Sequence, residues 1–245
     1  MGKYLHLWEN KAQHDTYIAG SNYIEPYVGY DTENVYYNKI DPFNGHAYVE
    51  IGGLKWATMN VGATSETDYG LYFAWGDTQG YTASQVGSGE GKKYFGWADY
   101  KYGNGTSSPG ATGMTKYNST DGKTVLDLED DAARANWGGE WRMPTTAEFQ
   151  ALGDAVDTAW TQVNDVYGIL CTDKTDSSKT LFFPAAGCCN EGSVTGIRYD
   201  GDYLSSSLNT DSRQFAYYFG FSSYGALWDD YVYRYYGYAV RPVVG

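Results

Sequence analysis

DLEDDAARANWGGEWRMPTTAEFQALGDAV, residues 127–156, carries the helical signal of this chain. Asp127 to Asn136 predicts a short helix with carboxylates at its N-terminal end, where the helix dipole favours them, and Gly138 stops it. After Pro144, Thr145 reads as an N-cap, and Glu148 three residues on completes a capping box. That position explains Glu148 better than a role as catalytic base. Phe149, Leu152 and Val156 recur at helical spacing and should face a core.

The segments on either side read as strands and loops. HAYVEIGGLKWATMNVG, residues 46–62, is a strand, a Gly-Gly turn and a second strand carrying Trp56. In residues 65–80, Tyr69, Tyr72, Phe73 and Trp75 can fasten an irregular loop onto a core. Residues 80–122 are rich in Gly, Ser, Asn and Thr, yet Tyr94, Phe95, Trp97, Tyr100 and Tyr102 punctuate them, which argues for ordered loops. After the helices come the short strands VYGILCT, TLFFPAAG, AYYFGFSS, LWDDYVYR and YAVRPVV. Strands, then two short helices, then strands is the order of an α+β domain with small antiparallel sheets and long ordered loops. Residues 1–45 differ: YIEPYVGY and NVYYNKI flank the polar turn DTEN. They are expected to form a β hairpin or attachment segment, or else an N-terminal strand leading into the domain at 46–245.

Composition narrows the function classes. The 245 residues carry a formal net charge of −13, with no basic cluster, so nucleic acid is not an expected partner. No apolar signal core opens the chain and no segment is long enough to insert into a membrane. Three cysteines, two of them adjacent at Cys188 and Cys189, make no disulfide framework and no zinc spacing. His6, His14 and His46 are scattered. DLEDD and WDD could attract calcium but lack EF-hand spacing, and DLEDD is accounted for by its helix start. DGKT at Asp121–Thr124 lacks the spaced glycine of a phosphate loop and reads as a turn. Nucleophile, phosphate-loop, dinucleotide and zinc-protease motifs are absent, so no catalytic residue, metal or cofactor is expected.

The last thirty residues, AYYFGFSSYGALWDDYVYRYYGYAVRPVVG, hold eight tyrosines around Trp228, with Asp229 and Asp230 in the middle. Tyr and Trp supply stiff contact area with a polar tip, while Ser, Gly and Asp supply adaptable partners, as in an antibody paratope. The competing account is an aromatic β-core, which would need a partner for each buried hydroxyl.

LKWATMNVGATSETDYGLYFAWGDT, LEDDAARANWGGEWRMPTTAEFQAL, FFPAAG and YYGYAVRPV, taken in order, resemble the Fibrobacter succinogenes major paralogous domain of gut Bacteroidetes and their phages. That family is similar to the formylglycine-generating-enzyme-like branch of the C-type lectin fold. The resemblance spans roughly residues 46–245 and implies a C-type lectin-like fold, with Trp137, Trp141, Arg142, Pro144, Gly237, Arg241 and Pro242 as scaffold. The enzyme branch needs a catalytic cysteine pair near its C-terminal site. This chain has no cysteine in its last fifty residues, so that activity is not expected.

The Tyr-, Ser- and Asp-rich tail between fixed-looking residues is similar to the variable proteins of diversity-generating retroelements, which display varied side chains on a fixed scaffold. The N-terminal segment resembles leader segments of Bacteroides phage and surface proteins. The expectation is therefore a non-enzymatic receptor-binding protein of a phage tail or bacterial cell surface. Its partners would be a cell-surface protein or glycan and, through residues 1–45, other virion or surface-assembly subunits. The alternative is a fixed-specificity glycan-binding module. The expected contacts are Tyr199, Asp202, Tyr203, Ser222, Ser223, Tyr224, Trp228, Asp229, Asp230, Tyr231, Tyr233, Tyr235 and Tyr238.

Overall fold

Two glycines with positive φ, Gly52 at 61° and Gly53 at 82°, turn strand β1 (Tyr48–Ile51) into β2 (Leu54–Ala57). Left-handed backbone at both central residues is what a tight two-residue hairpin requires. Strand β11 (Val243–Val244), at the other end of the chain, pairs with β2 through Val243 opposite Trp56. These elements belong to a computed structural model that describes residues 45–105 and 113–245. The chain divides into two units, Met1–His46 and Ala47–Gly245. The hairpin expected within residues 1–45, with His6 and His14, lies outside the described residues.

The helical region differs from its expectation at one end. Asp127–Asn136 is not one helix: a 3-10 turn (Leu128–Asp130) is followed by α1 (Ala132–Trp137). Asp131 interrupts them in extended conformation because its carboxylate caps α1, accepting from the Arg134 N–H at 2.9 Å and the Met143 N–H at 2.8 Å. Gly138, at φ 66°, ends the helix as expected. Helix α2 (Thr146–Ala155) has the expected capping box: Thr145 Oγ1 accepts from the Glu148 N–H at 3.2 Å, and Glu148 Oε2 accepts from the Thr145 N–H at 2.8 Å. Arg142 grips both Glu148 oxygens, at 2.7 and 2.5 Å. Phe149 and Leu152 are buried. Val156 is buried too, but it leaves the helix at φ −122° and opens strand β3.

Among the described residues there are three further antiparallel sheets. Strands β3 (Val156–Val163), β4 (Val166–Asp173) and β5 (Thr180–Pro184) form one; β6 (Cys188–Asn190) and β7 (Ser193–Thr195) form another. The last runs β10–β9–β8, from Gly225–Tyr233, Phe215–Ser222 and Asp200–Leu208. Helix α2 lies across this sheet. Phe149 sits 5.5 Å from Trp56 and 5.3 Å from Phe219, ring centre to ring centre, tying the first and last sheets together. Burying a ring of that size is worth about 1.5–3 kcal/mol. The chain is α+β, with two α-helices among the described residues and small antiparallel sheets.

The long segment between β2 and the helices is fastened by the aromatics read from the sequence. Tyr72, Phe73, Trp75, Phe95, Tyr100 and Tyr117 are buried. The polar tips find backbone partners: Tyr72 donates to Ala186 O at 2.6 Å, Trp75 Nε1 to Ser205 O at 3.0 Å, and Tyr100 to Trp75 O at 2.8 Å. Two fully buried arginines complete the frame. Arg241 donates to Asn60 Oδ1 at 2.9 Å and to the Ala57 and Phe182 carbonyls, both at 3.0 Å. Arg234 donates to the Tyr100 hydroxyl at 2.9 Å and to the Arg213 and Lys116 carbonyls, both at 3.0 Å, with Trp75 against its face.

Candidate functional site

Strand β10 alternates along its length. Gly225, Leu227, Asp229, Tyr231 and Tyr233 are exposed, and the residues between them are half-buried. A register shift between Leu227 and Asp230 inserts an extra residue opposite β9 and bends the strand there. Ser222 pairs with Gly225, so β9 and β10 are joined by only Ser223 and Tyr224, and Tyr224 stands 99% exposed at the tip. Among the described residues, no strand covers the outer edge of β10 in this sheet.

On one face of the sheet, Gly220 of β9 lies between Asp202 of β8 and Leu227 of β10. The Tyr218 ring lies close over the missing Gly220 side chain, and a hollow opens beside them. A Cβ built on Gly220 would stand 2.8 Å from the Tyr218 ring and 3.5 Å from Asp202 Oδ1. Around this floor lies a cavity of about 480 Å³, walled by Asp200, Asp202, Tyr218, Leu227 and Tyr238. The Tyr218 and Tyr238 rings meet edge to face at 4.9 Å, and Tyr218 donates to Asp230 Oδ2 at 3.0 Å. Asp202 is half-buried and lines the hollow. Burial, with Asp200 and Asp230 adding repulsion, pushes its carboxyl up to about 7. Burial, Asp202 and Asp230 likewise raise Tyr218, and burial followed by Asp202 raises Tyr238, so both phenols stay protonated donors. Among the described residues, no lysine or arginine pairs with Asp200, Asp202 or Asp230.

A second cleft, of about 680 Å³, adjoins the first across Asp200, Ser222 and Tyr224. Trp160 and Tyr167 stack in it at 6.0 Å, and Arg198 lies over the Tyr167 ring at 5.4 Å. Tyr199, 74% exposed, stands beside them with Ser223.

The expected contacts therefore separate into groups. Tyr199, Asp202, Ser222, Ser223 and Tyr224 come together around the two adjoining clefts, with Tyr238 as a largely buried wall of the first. Tyr231 is 53% exposed on β10, and Tyr233 lies beyond it, stacked on Phe215 at 4.4 Å. Asp229 is exposed and accepts from Gln150 at 3.0 Å, whereas Asp230 is half-buried and bonded to Tyr218. Tyr203 and Tyr235 are core residues rather than contacts. The Tyr203 hydroxyl donates to Pro184 O at 2.8 Å, and the Tyr235 ring packs 4.7 Å from Trp97. Trp228 is half-buried and stacks flat on Phe219 at 4.2 Å, so much of its surface is structural.

The sequence reading missed Asp200, Tyr218, Leu227, Trp160, Tyr167 and Arg198. Strand alternation gives Asp200, two residues from Asp202 and therefore on its face. The others depend on strand pairings that no local pattern displays.

The acidic cluster beside α1 already holds a cation from its own chain. Asp127, Glu129 and Asp130 bring carboxylate oxygens within 4.8 Å of one another, and Lys116 Nζ sits among them at 2.8, 2.9 and 2.5 Å. Burial alone would raise Asp130, but the bonds from Lys101, Lys116 and Tyr117 outweigh it and hold the carboxyl well below its ordinary range. Cys171, Cys188 and Cys189 are free thiols, and burial raises all three, which keeps them protonated. Among the described residues, no helix is long and apolar enough to cross a membrane. No protein-family model, curated protein or solved structure matches this chain.

Proposed function

We propose that this chain is a non-enzymatic binding protein with a C-type lectin-like fold, which engages a cell-surface protein or glycan through the β8–β9–β10 sheet and its hairpin tip. The observation that carries the reading is the exposure of Tyr199, Tyr224 and Leu227, at 74, 99 and 60%, on the walls of two adjoining clefts, with Tyr231 and Tyr233, 53 and 37% exposed, farther along β10. Large apolar and aromatic side chains gathered on one surface mark interaction sites. The resemblance to retroelement-diversified variable proteins supports placing it on a phage tail or bacterial surface, within the family named above.

A glycan ligand is the second reading. It draws on the stacked Trp160–Tyr167 pair and the neighbouring Asp200, which together offer a ring platform beside a hydroxyl acceptor.

The test is capture by labelled protein on arrays of bacterial glycans and displayed surface proteins, with Tyr224→Ala/Tyr231→Ala alongside. Saturable capture that the double variant loses supports the surface. Equal capture by both proteins would place the contacts elsewhere. Sequencing the gene's 3′ end across a culture then separates a diversified binder, varying at adenine-derived codons, from a fixed one.

A further inference from the structure

We propose that the hollow over Gly220 is a cage for one organic cation, an alkylammonium or guanidinium group, with Asp202 as its counter-charge. The proposal deepens the binding reading above, because the hollow opens on the same surface.

Three observations carry it. First, Asp202 is half-buried, lines the cavity and has no cationic partner among the described residues. A buried carboxylate is costly until something neutralises it.

Second, the walls suit a soft cation better than a metal ion. The Tyr218 and Tyr238 rings stand edge to face at 4.9 Å, and Leu227 also lines the hollow. Aromatic faces attract ammonium and guanidinium groups, whereas a hard divalent ion wants converging oxygens. Among the described residues, Asp200, Asp202 and Asp230 do not form a set with oxygens within 4.8 Å of one another.

Third, the protein contains a filled counterpart. Lys116 sits among Asp127, Glu129 and Asp130, with the Tyr117 and Tyr102 rings 5.1 and 5.9 Å from its ammonium. Three carboxylates and two tyrosines surround a lysine there. Two carboxylates, Asp200 and Asp202, and three tyrosines, Tyr218, Tyr224 and Tyr238, line the hollow here, with Asp230 bonded to Tyr218 beside it, and no lysine fills it. What the first cluster receives from its own chain, the second is built to receive from outside.

Asp202 is faced by Asp200 on its own strand, Tyr218 on β9, Asp230 on β10, Tyr238, and Cys188 on β6. With its carboxyl near 7, a bound cation must displace a proton at neutral pH. Cation affinity therefore rises with pH through that region, by roughly tenfold between about pH 6 and pH 8. A neutral sugar or alcohol gains nothing from ionising Asp202.

The experiment is calorimetric titration of the full chain at about pH 8 with n-butylammonium, tetramethylammonium and arginine amide, against the neutral probes 1-butanol and methyl glucoside. A short peptide with one central lysine, and its acetyl-lysine form, identify the source. Lysine peptide binding more tightly than the free amine points to a side chain of a partner protein; the reverse points to a free amine.

The expected result is one cation per chain, no response to neutral probes, and loss of at least about tenfold in affinity with Asp202→Asn. Leu227→Lys, at an exposed position, places an ammonium at the cavity wall and should compete with added cation. Neutral probes binding as well as cations, or Asp202→Asn binding them unchanged, overturns the proposal. Array capture without cation binding removes the cage and leaves the binding surface; cation binding without array capture does the opposite.

Discussion

Gly153 in helix α2 and Trp228 in strand β10 occupy one contact: a Cβ built on Gly153 would stand 2.7 Å from Trp228 Cε2 and 2.8 Å from its Nε1. The helix gives up side-chain volume at this position so that the indole can lie flat between it and Phe219. Gly153→Ala should therefore destabilise the domain by about 1–3 kcal/mol, although alanine is the better helix former by about 1 kcal/mol. Trp228→Ala should cost about 2–4 kcal/mol. In the double variant the Gly153→Ala penalty should vanish, because the clash has lost its partner. Urea denaturation of the three proteins checks this, and additive penalties would separate the two residues.

The Asp202 carboxyl, raised from 3.8 to about 7, makes a signed prediction. Between these values the folded protein holds a proton that the unfolded chain has released, so stability falls as pH rises through the window. Asp202→Asn removes the penalty. The variant should match the wild type below about pH 4 and exceed it by roughly 2–4 kcal/mol above about pH 8. Denaturant midpoints across that range measure the gap, and a gap that is the same at both ends would refute the titration.

Arg241 presents the opposite case, a buried charge fully supplied with acceptors. Arg241→Met would leave Asn60 Oδ1 and the Ala57 and Phe182 carbonyls without their donors. With about 1–3 kcal/mol for each stranded acceptor, the loss should exceed about 3 kcal/mol. Arg241→Lys should recover little, since an ammonium cannot reproduce the planar fork. Thermal melting of both variants decides it.

Exposed and buried tyrosines should part company. Tyr224→Ala and Tyr231→Ala should each leave stability within about 0.5 kcal/mol while reducing capture on the arrays. Tyr203→Phe, which removes one of the two hydrogen bonds to Pro184 O, should cost about 0.5–1.5 kcal/mol and leave capture untouched. Loss of capture by Tyr203→Phe at full stability would put that residue back on the binding surface.

Local chemistry was legible where a feature is completed within one stretch of chain. The Thr145–Glu148 box, the Gly138 stop and the inward face of α2 are all local, and each stands where the sequence places it. Strand β8 was not legible, because its buried serines break the apolar pattern. Ser205 is satisfied by Tyr217 O at 2.7 Å and Ser206 by Pro144 O at 3.2 Å, partners supplied by distant segments. Aromatic richness alone also failed to separate Tyr203 and Tyr235 from Tyr224 and Tyr231. Whether a tyrosine faces water depends on strand register and on the bulge, and both are set by pairing across the sheet. The cavity floor at Gly220, where the Tyr218 ring takes the space of a side chain, takes shape only once β8, β9 and β10 pair.

The alternation along β10 has an evolutionary corollary. Its odd-numbered positions from Leu227 to Tyr233 are exposed, and its even-numbered positions Trp228, Asp230 and Val232 are half-buried, with Trp228 stacked on Phe219 and Asp230 bonded to Tyr218. Replacing an odd residue alters what the molecule meets, while replacing an even one alters whether it folds. Related genes should therefore diverge at every second codon of this strand, with the intervening codons held still by selection for stability.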